Sequence, residues 1–338
     1  YKSAVAFREF PRAEGDAVTE FLNDNTYTLF DKSTHTLNLP VEDIPDIVWN
    51  NNEKEWAFSD EYGAAGDGVC DDTAAIQKLM NSGKKYVFFQ PGEYLINGKI
   101  TIPPSVEMVN FMYCSLAAGE KLKTETGSAF CVIGENEVPL VIEDIFAWEK
   151  FYGKFHFIEH ACKRTLVLSD LHIQTAAFYF NSQEGGKVFI ENCACTVGGD
   201  LYREICPFKF VGQIVYARNI NPERSDYEII NDHGVLWLMG FKSEGYGTTV
   251  KTVNGGRTEI LGGVASMGEN KDLPVIVNED SDVSAILSTN GYWPEHIFMY
   301  AVKEKRGDKQ RFIGYKELPV RLLNCFKLPL YSGRGRNN

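Results

Sequence analysis

The most constraining feature of this chain is a repeat of 21 to 27 residues with no helix in it. A short apolar run, then an Asp, Asn or Gly, then an alternating stretch recurs as Val141-Ile-Glu-Asp144-Ile-Phe146, Leu166-Val-Leu-Ser-Asp170-Leu-His-Ile173 and Val188-Phe-Ile-Glu-Asn192-Cys-Ala-Cys195. It continues as Ile214-Val-Tyr-Ala-Arg-Asn219-Ile220, Leu236-Trp-Leu-Met-Gly240-Phe241 and Glu259-Ile-Leu-Gly-Gly263-Val264. From marker to marker the steps are 26, 22, 27, 21 and 23 residues, a solenoid period. Without helix-length amphipathic segments, the tetratricopeptide, ankyrin and HEAT-type repeats are excluded. The Leu-x-x-Leu-x-Leu-x-x-Asn pattern of leucine-rich repeats does not recur either. What remains is an all-β, single-stranded parallel β-helix. Its coils stack at one strand spacing, its inward residues form ladders, and small polar residues at the corners bond along the axis.

Around this repeat the chain divides into 1–59, 60–330 and a tail, 331–338. In the first part, Phe21 to Trp49 carries Pro40 and Pro45 among acidic residues, and three asparagines follow Trp49. That composition predicts an extended connector packed on something else. Tyr1 to Phe7 reads as a strand without a partner nearby. Because Tyr1 is not an initiator Met, an original start with its signal is not visible. From Asp67-Gly68, a turn pair, the signals sharpen. Asp71-Asp72-Thr73 precedes a short helix, Ala74 to Met80, ended by Gly83, and strands follow over Lys85–Phe89, Tyr94–Ile96 and Ile100–Ile102. Asp67, Asp71 and Asp72 are expected to serve the turn and the helix start, with a cation such as calcium as the alternative.

Charge narrows the function. The net charge of −12 argues against non-specific nucleic-acid binding, which needs a basic face, and favours a neutral, sugar-like partner. No apolar run reaches membrane-spanning length. The eight cysteines contain no Cys-x-x-Cys pair and are expected mostly as buried small apolar residues. Cys193 and Cys195 are expected on opposite faces of their strand.

Two stretches resemble known families. Tyr62-Gly-Ala-Ala-Gly-Asp-Gly-Val-Cys-Asp-Asp-Thr-Ala-Ala-Ile-Gln77, followed by Tyr86-Val-Phe-Phe-Gln-Pro-Gly-Glu-Tyr-Leu-Ile96 and Ile100-Thr-Ile-Pro103, resembles the opening of the pectate-lyase-like right-handed β-helix superfamily. The resemblance implies a right-handed coil with a short N-terminal capping helix. It does not specify an activity, since hydrolases, lyases and phage tailspikes share this opening. Gly234-Val-Leu-Trp-Leu-Met-Gly-Phe-Lys-Ser-Glu-Gly245 is similar to a stretch of family 55 glycoside hydrolases, exo-acting β-1,3-glucanases built from two tandem β-helices with the active site between them. Trp237, Gly240, Ser243 and Glu244 fall on matching positions. Gly245 replaces the family's His, and Thr248-Thr-Val-Lys251 departs from its sequel. The resemblance implies that this chain is a second half, with Tyr1 to Phe7 closing an upstream β-helix of the same protein.

Glycoside hydrolysis takes two carboxyl groups, one kept protonated, and on a solenoid such a pair comes from adjacent coils. The pool is Asp200, Glu204, Asp226, Glu228, Asp232, Glu244, Glu269 and Asp272. Glu244, at a coil edge after an apolar run, is the expected general acid, with Asp232 or Glu228 activating water and His233 beside Asp232 as a proton shuttle. Trp237, Tyr246, Tyr292 and Trp293 are expected to stack on sugar rings, with Lys242 and Arg257 also on the substrate; the phenylalanines are expected to fill the interior. The histidines lack metal-ligand spacing, so no metal or other cofactor is expected beyond the calcium alternative. A lyase would use a base from Lys209, Arg218, Lys242 and Arg257. The expectation is therefore a secreted, cell-surface or periplasmic enzyme that hydrolyses a polysaccharide or oligosaccharide, with a non-catalytic glycan-binding or structural β-helix, and then a polysaccharide lyase, as alternatives.

Overall fold

The computed structural model describes residues 25–30, 33–124, 127–174, 176–198, 205–245, 247–267, 273–322 and 324–335. Its body is a β-solenoid. One flank stacks, in order, Trp56–Phe58, Tyr86–Phe88, Met108–Asn110, Leu140–Ala147, Leu166–Gln174, Lys187–Thr196, Ile214–Glu223, Val235–Gly245, Arg257–Ile260 and Asp282–Gly291, each parallel to its neighbours. A second flank runs parallel from Ile100–Ile102 to Tyr300–Arg306. At the C-terminal end the direction reverses: Cys325–Gly333 and Lys309–Gly314 pair antiparallel with the last coil. The first of these strands runs through residue 330, where the sequence suggested a boundary.

The recurring Asp, Asn or Gly is the corner. Asp144, Asp170, Asn192, Asn219 and Gly240 have φ of 62°, 52°, 53°, 57° and 78°. This left-handed region is open to Gly and tolerated by Asn and Asp, whose short side chains bond locally. Each marker bends its strand into two faces of the coil. The side chains also bond along the axis as anticipated: Asn192 Nδ2 donates to Asp170 Oδ1 (2.6 Å), and Asn219 Nδ2 to Asn192 Oδ1 (2.8 Å).

Before each corner stand three apolar residues, and the middle one points out. Val141, Val167, Phe189, Tyr216 and Trp237 lie in register on adjacent coils and are buried although they face away from the solenoid's interior. The cover is the segment 37–49. Leu37, Leu39 and Ile44 pack on this stripe. The buried Glu259 carboxylate accepts the amides of Asn38 (3.0 Å) and Leu39 (2.7 Å), Lys187 pairs with Glu42, and Arg218 pairs with Asp43 (3.2 Å). The described part of the N-terminal segment is therefore extended and packed lengthwise on the solenoid itself.

Inside, phenylalanines form the expected ladder. Phe89 stacks on Phe111 (4.6 Å between centroids) and Phe178 on Phe208 (4.7 Å), with Phe130 and Phe157 edge-on between them. Cys193 and Cys195 both point inward, each essentially unexposed, which corrects the opposite-face expectation. Alternate residues of a strand share a face, and Ala194 between them is the one that turns out. An α-helix covers Thr73–Met80 and buries Ile76, Leu79 and Met80. Asp71 accepts the amide of Thr73 (3.0 Å), Asp67 those of Val69 and Cys70, and Asp72 those of Ala65 and Gly66. All three carboxylates thus serve their own loop and helix start.

Candidate functional site

Past the marker the strands continue for a second half-face, and its outward residues can be counted from the corner. Two residues on lie Phe146, His172, Ala194, Asn221 and Lys242; four residues on lie Trp148, Gln174, Thr196, Glu223 and Glu244. The pairing register keeps each set in line along the axis, with Glu244 continuing to Ser266 and Asn290. The inward partners in this half are apolar or small, such as Cys193, Cys195, Phe241 and Ser243.

At the middle of this face two carboxylates from adjacent coils share one ammonium. Lys242 Nζ lies 2.6 Å from Glu223 Oε1 and 2.6 Å from Glu244 Oε1. The two oxygens are thus no more than about 5 Å apart, which excludes the wider spacing of an inverting glycosidase pair. Glu223 also accepts from Thr196 Oγ1 (3.0 Å). Burial pushes the Glu244 carboxyl up, but hydrogen bonds from Lys242 and Tyr292 outweigh it and hold its pKa below the ordinary carboxylate value. For Lys242 burial works against the charge, and its bonds to Glu223 and Glu244 again prevail, so its pKa lies above the ordinary lysine value. The cluster is a charged triad with a tyrosine at its edge. An ionised Glu244 has the state of a nucleophile or base, opposite to the general acid expected from the sequence. A lysine held charged is equally unsuited to be a lyase base.

The other expected residues scatter. Glu228 is buried at the neighbouring corner, where Ser243 Oγ donates to its Oε2 (2.5 Å), and burial pushes its pKa up to about 8. It is a neutral carboxylic acid at neutral pH and, being enclosed, is not placed to activate solvent water. Asp232 and His233 sit beyond the far end of the strand Val235–Gly245 from Glu244. There His233 Nδ1 lies 3.0 Å from Asp232 Oδ1, its Nε2 3.4 Å from Glu184, and Asn254 Nδ2 donates to Asp232 (2.7 Å). These contacts keep Asp232 ionised against its burial and raise the His233 pKa.

Trp237, expected to face substrate, is buried in the cluster that includes Leu37 and Leu39, with Arg218 over its ring (5.2 Å). The sequence placed it on the right strand but on the half before the corner, which the N-terminal segment covers. Arg257 starts its strand at that same end and faces Asp282 (3.9 Å). Tyr292 and Trp293 are exposed, and Tyr292 adjoins Glu244. Tyr246, Asp200, Glu204, Glu269 and Asp272 lie outside the described residues. Of the lyase candidates, Arg218 pairs with Glu191 (2.9 Å), and Lys209 lines a hollow of about 500 Å³ on the other flank with Lys154, His156 and Phe180, whose lining among the described residues includes no carboxylate. Among the described residues no three His, Cys, Asp or Glu are grouped as metal ligands.

Glu223 was missing from the sequence pool. The signal for it was the period itself: it stands four residues past Asn219, as Glu244 stands four past Gly240. The same count finds Phe146 and Trp148, which no motif marked.

Residues 59–109 match the family described as rhamnogalacturonase A/epimerase, pectate lyase-like, the resemblance expected from the Tyr62 to Pro103 stretch. A glucan 1,3-beta-glucosidase of Cochliobolus carbonum is 39% identical over 57 residues, 16% of this chain and 7% of that protein. A probable glucan endo-1,3-beta-glucosidase of Arthroderma benhamiae is 33% identical over 81 residues, 23% of this chain and 8% of that protein. The matches therefore span less than a tenth of either relative's length. Among solved structures, the mannuronan C-5 epimerase AlgE4 A-module of Azotobacter vinelandii is similar over 74% of this chain and 91% of its own, at 12% identity and a TM-score of 0.33. The surface adhesin PfbA of Streptococcus pneumoniae is similar over 76% and 94%, at 10% identity and a TM-score of 0.34.

Proposed function

We propose that this protein is carbohydrate-active, binding a neutral polysaccharide along the half-face that carries Glu223, Lys242 and Glu244 and hydrolysing a glycosidic bond there. The observation that carries the reading is the carboxylate pair from adjacent coils, about 5 Å apart at most, on rows that also hold exposed aromatic rings. In this reading Glu244, kept ionised by Lys242 and Tyr292, is the nucleophile. Glu223 is the acid, its side chain 13% exposed against 34% for Glu244. The short matches to two glucan 1,3-β-glucosidase relatives support a glucan as the first substrate to try. The reading includes a right-handed coil, the usual hand for parallel crossovers, with the helix Thr73–Met80 closing its N-terminal end. It also includes a secreted, cell-surface or periplasmic setting, and an upstream β-helix of the same protein lying beside the face.

One observation favours a second reading, glycan binding without hydrolysis. Lys242 bridges both carboxylates and occupies the space between them, and its bond helps hold the Glu244 pKa below the ordinary carboxylate value. The test is reducing-sugar release and absorbance at 235 nm over neutral and uronate-containing polysaccharides, for the wild type, Glu244→Gln and Glu223→Gln. Reducing ends without absorbance, reduced at least about a hundredfold by each substitution, support the hydrolase. A rise in absorbance means a lyase; binding without either signal means the second reading.

A further inference from the structure

We infer that Phe146 and Trp148 form a remote subsite for the same glycan, at which a pyranose ring several units from the cleaved bond stacks on an aromatic platform. The inference rests on the proposed function and deepens it.

The two side chains are 41% and 42% exposed, their rings 5.4 Å apart and within 15° of parallel. They are not a loose patch. The His172 ring packs edge-on against Phe146 (4.9 Å) and Gln174 Nε2 lies 3.1 Å from His172 Nε2, so the next coil fixes the platform from one side. The buried Phe ladder lies inside the solenoid. Here the register forces these two rings out: Phe146 pairs with His172 and stands two residues past the corner, on the row that leads to Lys242. Trp148, one residue past its strand, heads the row that leads through Gln174, Thr196 and Glu223 to Glu244.

Trp148 is three coils from Glu223 and four from Glu244, hence about 14 Å and about 19 Å along the axis. Between them the rows carry small or polar residues, Gln174, Ala194, Thr196 and Asn221. Among the described residues no group donates to the buried Asn221 Oδ1. An aromatic platform, a polar floor and a carboxylate pair in one line fit a linear polymer with alternating apolar ring faces and hydroxyl edges. The occupant is a neutral glycan chain: the carboxylates and the net charge of −12 disfavour a polyuronate, and a disaccharide held at Glu244 would not reach the platform.

The test is isothermal titration calorimetry with gluco-oligosaccharides of two and of six units, on the wild type, Trp148→Ala, Trp148→Phe and Glu244→Gln. Trp148 is half exposed, so its loss leaves the coil folded, which circular dichroism checks. The expected result is a loss of about five- to tenfold in hexasaccharide affinity for Trp148→Ala, none for the disaccharide, and recovery in Trp148→Phe. Unchanged hexasaccharide affinity, or equal loss at both lengths, overturns the platform. The two proposals fail separately. If the wild type cleaves nothing but the length-dependent loss is seen, hydrolysis falls and the subsite stands. If cleavage requires Glu244 while Trp148→Ala matches the wild type at both lengths, the subsite falls and the active site stands.

Discussion

Glu228→Gln should make the protein more stable at alkaline pH and remove most of one pH dependence. Glu228 is enclosed, with Ser243 and Thr249 hydroxyls on its carboxyl and the charge of Glu223 nearby; burial is the largest cause and carries its pKa to about 8. An unfolded glutamic acid titrates near 4.3. Below that pH both states hold the proton and Glu228 contributes no pH dependence. Between about 4.3 and 8 the unfolded state has lost the proton that the folded state keeps, so stability falls as pH rises, by about 1.4 kcal/mol per unit. Over this window the full cost is about 5 kcal/mol. Glutamine keeps the shape and hydrogen-bonding capacity without the ionisation. Urea unfolding of wild type and variant at pH 5, 6.5 and 8 should show curves within about 1 kcal/mol of each other at pH 5 that separate by several kcal/mol at pH 8, the variant being the more stable. Parallel pH dependences, or a variant less stable at pH 8, would refute the neutral, structural Glu228 and reopen its role as a base.

Trp237→Ala should cost about 3 kcal/mol in urea unfolding, because Trp237 is buried in the cluster that the N-terminal segment covers, and should leave glycan affinity unchanged; a loss of affinity without a loss of stability would return Trp237 to the substrate face. At the corner, Asn219→Gly should be nearly neutral while Asn219→Val costs about 2 kcal/mol, since φ of 57° suits glycine and opposes a β-branched side chain. Equal denaturation midpoints for these two variants would contradict the corner assignment.

Much of the coil was legible because its determinants are local. A left-handed corner needs Gly, Asn or Asp at one position per coil, so the corner leaves a mark in the sequence at its own period. Phenylalanines alternating along strands marked the interior. The family resemblance marks Glu244, but its charge state depends on Lys242, its neighbour but one, whose ammonium lies 2.6 Å from it across the outward face. Glu228 and Asp232 looked equivalent as carboxylates near strand ends. One is enclosed beside Ser243 and the other is exposed to His233 and Asn254 at the other end of the next strand.

The sequence by itself determined the repeat, the bend at each marker and the separation of inward from outward residues, since backbone conformation and strand alternation depend on a few consecutive residues. Tertiary structure decided which outward stripe meets solvent. The segment around Leu37 and Leu39 crosses some two hundred residues of sequence to cover Trp237 and its row, and leaves open the half-face with Glu223, Lys242 and Glu244. Such coverage depends on contacts between distant parts of the chain, and neither partner's local pattern encodes them.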